Sequence, residues 1–114
     1  MKIVALLCAL ATAAVAGPVE DNEAGKQAMF ASHYATAVVK FRAAAEADPQ
    51  AAYYFNLCAA LYSTGAFRPA LVACQRVTGL KPTERLKINT GQLIDKIRFD
   101  AKNQHISLAP EPRH

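Results

Sequence analysis

Few side chains in this 114-residue chain could carry chemistry, and their spacing builds neither a catalytic site nor a metal site. The three histidines, His33, His105 and His114, are not spaced as metal ligands on one helix, and no acid completes a site. Asp21 and Glu23 are typical of a first helical turn, which favours acids. No nucleophile elbow, phosphate-binding loop or dinucleotide-binding glycine motif occurs. The sequence therefore predicts a protein that is not an enzyme and uses no metal or cofactor.

Cys58 and Cys74 are the cysteines whose spacing could bring them together. They lie in apolar, alanine-rich segments on either side of a turn at Gly65. Folding the chain back at this turn places Cys58 roughly opposite Val72. Cys74 therefore lies near Cys58 but not directly opposite it. Because disulfide geometry is demanding, two interpretations stay open: a Cys58–Cys74 bridge formed in an oxidising compartment, or two buried thiols packed as small apolar side chains.

The N-terminal segment 1–16 has the pattern of a secretory signal peptide. Lys2 precedes an apolar run from Ile3 to Ala16 that ends in small residues. The run is shorter than the ~20 apolar residues that a membrane-spanning helix needs. The pattern predicts a bacterial-type signal, cleavage after Ala16, and a periplasmic or secreted protein without a stable membrane span. Retention of the segment as a membrane anchor is the alternative.

Charge is unevenly distributed along the chain, whose formal net charge is +4 at pH 7. Acids outnumber bases between Gly17 and Phe67, whereas bases outnumber acids between Arg68 and Lys102. The basic half could attract an acidic partner, although a solvated helix face explains it equally simply. No feature predicts a nucleic-acid partner.

From Glu20 onward the chain has the composition of a helical protein, with abundant alanine and leucine and few β-branched runs. Asp48 before Pro49, and Thr83 before Glu84, are candidate helix N-caps. A flexible tail is expected over residues 103–114. The breaks at glycine, proline and serine predict five helices, at about 19–31, 34–47, 50–63, 67–79 and 84–102.

The pattern repeats after a shift of 33 residues. This shift places Ala37 on Ala70, and it places the helix-breaking Ser32 on Gly65. The chain therefore contains two units, about 17–49 and 50–82, and the first half of a third unit, 84–102.

These positions resemble the tetratricopeptide repeat, a helix–turn–helix unit with the pattern W-x2-L-G-x2-Y, then A-x3-F, then P. Asp21 stands where the first unit should have a large aromatic residue, and Cys58 stands where the family prefers glycine. The resemblance implies an all-α fold: a short right-handed α-solenoid of antiparallel helix hairpins, with two units and a C-terminal capping helix. The matching positions are Gly25, Ala28, Ala37, Phe41, Ala44 and Pro49 in the first unit, and Tyr54, Leu57, Cys58, Leu61, Ala70, Cys74 and Pro82 in the second.

The resemblance also implies a concave partner-binding groove, lined by the first helix of each unit. Phe55 and Tyr62 share a helix face, and core packing is an equal alternative for both. Phe55 and Ala59 replace the polar pair that some family members use to clamp a carboxylate, so a carboxylate clamp is not expected. The candidate groove residues are Asn22, Lys26, Met29, Phe55, Ala59, Tyr62, Asn89, Gln92 and Lys96.

The expected function is that of an exported, non-catalytic interaction scaffold or adaptor. A groove with aromatic side chains and a basic end suits an acidic or amphipathic peptide or helix. The alternative is a membrane-tethered structural subunit of the cell envelope, which associates with itself through an incompletely capped end of the repeat stack.

Overall fold

The structure is a computed structural model that describes residues 16–109, so nearly all of the expected signal peptide lies outside the described residues. The described part has no strand, and its all-α fold confirms the expected class. Each helix begins and ends within one residue of the bounds expected from the sequence. The five helices are α1 (Pro18–Phe30), α2 (Tyr34–Ala47), α3 (Ala51–Ser63), α4 (Phe67–Thr78) and α5 (Glu84–Asn103).

Of the two expected N-caps, one is confirmed and the other is wrong. The Thr83 hydroxyl oxygen accepts a hydrogen bond from the Leu86 backbone N–H at 3.2 Å and caps α5. Asp48 instead follows the end of α2, in an extended conformation, and Gln50 occupies the N-cap of α3. The ring of a proline disfavours helical geometry in the residue before it, so Asp48 before Pro49 cannot continue the preceding helix.

The turns after α1 and α3 are built alike. Gly65 has a φ of +82°, and the Ala66 N–H donates to the Leu61 carbonyl at 3.0 Å. Ser32 has a φ of +61°, and the His33 N–H donates to the Ala28 carbonyl at 2.8 Å. Both helices thus end in a left-handed residue that satisfies their last carbonyls. The 33-residue shift places these two residues on each other.

Each helix packs against the next one along the chain. The odd-numbered helices also contact each other in series, α1 with α3 and α3 with α5, whereas α2 and α4 make no contact within the described residues. Helix α3 is therefore the centre of the packing, and it contacts all four other helices.

The core is assembled mainly from alanine and a few large side chains. Phe41, Leu57, Phe67 and Ile97 belong to one buried cluster that all five helices supply. Beyond α5, the Ser107 carbonyl accepts a hydrogen bond from Arg68 Nε at 2.7 Å, and Leu108 packs against the same cluster.

Gly25 sets the separation between α1 and α2. A Cβ atom at this position would lie 2.5 Å from the ring of Phe41, which is only 2% exposed. Two carbon atoms cannot approach so closely, so a side chain here would push the helices apart. Gly91 on α5 differs, because a Cβ atom there would have no neighbour within 4 Å and the residue is exposed.

We expect Gly25→Ala to lower the free energy of unfolding by about 1–3 kcal/mol, because overpacking at Phe41 outweighs the better helix propensity of alanine. Gly91→Ala is the matched control and should raise the same free energy by up to about 1 kcal/mol. Urea unfolding followed by circular dichroism measures both. Equal effects of the two substitutions would contradict the proposed contact.

Candidate functional site

A groove lies between α1 and α3, which we call the α1–α3 groove. Its volume is about 360 Å³. Its lining is mostly apolar, with one cation and one amide, a composition typical of sites that bind an apolar group and orient it by a few polar contacts. The lining residues are Lys26, Met29, Phe30, Phe41, Asn56 and Ala59.

The polar groups of the groove are connected to its walls. The Asn56 side-chain amide donates to Asn22 Oδ1 at 2.9 Å and thereby joins α3 to α1. Lys26 Nζ lies 2.8 Å from the Glu23 carboxylate, and both side chains are about half exposed. Exposed pairs of this kind contribute little to stability, so Lys26 can exchange Glu23 for the carboxylate of a ligand.

The structure brings part of the expected partner-binding set into this groove. Lys26, Met29 and Ala59 line it, and Asn22 lies at its edge through Asn56. Phe55 is half-buried and lines neither of the two grooves described here.

Three lining residues were not expected from the sequence. Phe41 is a matching position of the repeat pattern on α2, and Phe30 is the last residue of α1. Asn56 is adjacent to the expected Phe55. Its spacing of three residues from Ala59 indicates that it lies on the same helix face as Ala59, so this spacing could have predicted Asn56.

Tyr62 and Lys96 meet at a different place, the junction of α3 and α5. The Tyr62 hydroxyl donates to the Asp100 carboxylate on α5, and its ring stacks on Phe67 with the centroids 5.7 Å apart. Lys96 Nζ lies 5.8 Å from the centroid of the Tyr62 ring, within cation–π range. Tyr62 thus ties two helices together. The remaining candidates, Asn89 and Gln92, are exposed on α5 and line neither groove.

The environment of Tyr62 changes its acidity. The hydrogen bond to Asp100 is the largest cause, followed by burial and by the negative charge of the same carboxylate, and together they raise the pKa of Tyr62 to about 12. All three favour the neutral hydroxyl over the phenolate.

A second groove of about 340 Å³ involves α2, α3 and α4. The Arg76 guanidinium lies over the Tyr54 ring, with its central carbon 4.7 Å from the ring centroid. Sequence reasoning missed this surface because it depends on how far α2 and α4 stand apart. The groove is lined by Arg42, Ala45, Glu46, Tyr54, Leu57, Leu61, Pro69, Val72, Ala73 and Arg76.

Cys58 on α3 and Cys74 on α4 are joined by a disulfide bond, with their Cα atoms 5.3 Å apart. Both residues are fully buried. The 33-residue shift places Gly25 on Cys58 and Phe41 on Cys74, so the bridge occupies the position at which Gly25 meets Phe41 in the first pair of helices.

The described part of the chain offers neither a metal-binding group nor a membrane-spanning helix. Among residues 16–109, no three histidine, cysteine or acidic side chains are grouped closely enough to hold a metal ion. None of the helices in the described part combines the length and hydropathy that crossing a membrane requires.

The chain matches no protein-family model, no curated protein and no solved structure.

We expect the disulfide to contribute about 2–4 kcal/mol to the free energy of unfolding, because it closes a loop of 16 residues in the unfolded chain. A double Cys58→Ala, Cys74→Ala variant should lose this amount in urea unfolding. Reduction of the wild-type protein should have a similar effect, and it should leave the variant unchanged. A non-reduced digest without a Cys58–Cys74 peptide pair, read by mass spectrometry, would contradict the bridge.

We expect Asp100→Asn to lower the pKa of Tyr62 from about 12 towards 10, because the acceptor loses its charge. Ultraviolet titration of phenolate absorbance measures this value, with Tyr62→Phe identifying the signal. Asp95→Asn, on the exposed side of the same helix, is the control and should leave the titration unchanged.

The same pKa predicts the pH dependence of stability. The folded state raises the pKa of Tyr62, so the neutral hydroxyl stabilises the folded state. This contribution to the free energy of unfolding is complete below pH 10 and is lost as the pH rises to about 12. Tyr62→Phe should lack this loss of stability. An equal loss in Tyr62→Phe and wild-type protein would show that other groups cause it.

Proposed function

We propose that this chain is an exported, non-catalytic interaction scaffold of the tetratricopeptide type, which binds an amphipathic segment of a partner protein in the α1–α3 groove. In this proposal the helices form two antiparallel hairpins and a capping helix, stacked as a short right-handed solenoid. The contacts of the odd-numbered helices in series support the stacking, because hairpins that stack through their first helices give this pattern.

The single observation that carries the proposal is the composition of the α1–α3 groove. Phe30 offers an apolar surface, because it is 89% exposed although it is one of the largest apolar side chains in the chain, and the partly buried Met29 and the buried Phe41 lie behind it. Such a residue gains stabilisation when a partner covers it. Lys26 and Asn56 lie beside this surface and can bind a carboxylate and a backbone amide.

The preferred ligand follows from these contacts. One large apolar side chain of the partner would enter the groove between α1 and α3, and an acidic residue next to it would pair with Lys26. An amphipathic helix or an extended segment with this pair of residues satisfies both requirements.

Two observations support export. The apolar segment before Gly17 has the pattern of a cleaved signal. The Cys58–Cys74 disulfide is of a kind that persists in oxidising compartments.

The experiment is selection of binding peptides from a displayed random library on the wild-type chain, followed by affinity measurement with the best peptide. We expect enriched peptides to combine a large apolar residue with an acid. Ala59→Arg should weaken the best peptide by about ten-fold or more, because the new side chain fills the groove. Lys26→Glu should select against the acidic residue.

Ala43→Arg is the matched control, since Ala43 is an exposed alanine on α2 outside both grooves. It should leave the affinity unchanged. Selection that enriches no peptide, or peptides that bind Ala59→Arg as tightly as wild type, would refute the groove as the binding site.

A further inference from the structure

The outer face of α5 carries a row of side chains that nothing in the described part covers. Ile88 is 54% exposed and Phe99 is 64% exposed, and their separation along the sequence corresponds to about three helical turns, so both lie on one face. The buried Ile97 and Ala101 lie on the other face. We call this row the α5 seam; it consists of Glu84, Ile88, Gln92, Asp95, Phe99 and Lys102.

The repeat indicates what belongs on this face. The 33-residue shift places Ile88 on Phe55 and on Asn22 of α1, and Asn22 is hydrogen-bonded to Asn56 of α3. The same shift places Asp95 on Tyr62 of α3, and Tyr62 is hydrogen-bonded to Asp100 of α5. Asn22 and Tyr62 thus each contact the next odd-numbered helix. No such helix follows α5 within the described residues.

We propose that the α5 seam pairs with the α5 seam of a second copy of this chain, antiparallel and across a two-fold axis. This surface is separate from the α1–α3 groove, so the inference goes beyond the proposed scaffold function. It gives a physical basis to the self-association that was the alternative expectation from the sequence.

The order of residues along the seam is complementary to its own reverse. A two-fold axis between Gln92 and Asp95 places Ile88 opposite Phe99 of the second copy, and it places Gln92 opposite Asp95. Glu84 then lies at the level of Lys102. Each apolar, hydrogen-bonding and charged contact occurs twice in such an isologous interface.

Other occupants fit the seam less well. A parallel pairing would place Asp95 against Asp95 and Lys102 against Lys102, and like charges in contact across an interface repel each other. The seam itself carries two acids and one base, so it has no strong charge with which to select an acidic or a basic partner protein.

The size of the seam predicts a reversible dimer. Helix α5 has 20 residues and is therefore about 30 Å long. A contact between two such helices is smaller than a standard interface, so we expect dissociation constants in the micromolar range or weaker.

The test is sedimentation velocity over a concentration series of the purified chain, with its N-terminus read by mass spectrometry. We expect a monomer–dimer equilibrium that Phe99→Lys weakens by about ten-fold or more. Val39→Lys is the control, because Val39 is 63% exposed on α2 and lines neither groove. Thermal unfolding by circular dichroism should show that both variants remain folded.

Orientation is tested by disulfide crosslinking in a Cys8→Ser background. In the antiparallel pairing a mixture of Ile88→Cys and Phe99→Cys chains should crosslink to each other. Ile88→Cys chains alone should not, because their two cysteines would lie about 16 Å apart along the helices.

Four results would overturn the proposal: a monomer at every concentration, a dimer that Phe99→Lys leaves intact, preferential crosslinking of Ile88→Cys chains to themselves, or association only in chains that retain residues 1–16. Ala59→Arg should dimerise as wild type does. Peptide affinity therefore tests the α1–α3 groove, dimerisation tests the α5 seam, and either proposal can fail without the other.

Discussion

The close approach of paired helices is the constraint on which this fold depends. In the first pair, α1 approaches α2 so closely that Gly25 lies against the ring of Phe41, and only the absence of a side chain permits the contact. In the second pair, the equivalent positions are Cys58 and Cys74, which are joined covalently. The α1–α2 contact is thus stabilised by packing of the Phe41 ring against Gly25, and the α3–α4 contact is stabilised by the disulfide bond. Alanine is also frequent among the other buried residues, and its small side chain allows helices to approach closely.

The odd-numbered helices are joined by a separate set of contacts. Helices α1, α3 and α5 meet in series, and polar side chains link them: Asn22 with Asn56, and Tyr62 with Asp100. A hydrogen bond has directional requirements that an alanine contact lacks, so these pairs determine how far each helix rotates and slides. The α1–α3 groove includes Asn56 of the Asn22–Asn56 contact, and Phe30 remains exposed in its lining.

The sequence predicted the positions of the helices, but it did not predict all the residues that line the α1–α3 groove. Proline, glycine and serine mark the helix ends through local backbone preferences, and those preferences were enough to locate all five helices. Asn56 lines the α1–α3 groove and Phe55 does not, because adjacent residues on α3 differ by about 100° in direction, and the rotation of α3 depends on its contacts with neighbouring helices. The partner of Tyr62 was likewise beyond reach, because Asp100 lies 38 residues away on a helix whose alignment the repeat leaves open.

In the proposed solenoid, an uncovered helix face must be either polar or paired, since each unit otherwise buries its face on a neighbour. Helix α5 is polar over much of its outer face, but Ile88 and Phe99 interrupt that polar surface, and nothing in the described part covers them. A dimer formed through the α5 seam would cover both residues and leave each α1–α3 groove open, so that one particle would carry two grooves related by a two-fold axis. Two grooves on one particle raise the effective affinity for any partner that offers two segments at the matching distance. In the two proposals taken together, the dimer formed through the α5 seam would supply a second groove to a partner that binds a single groove weakly.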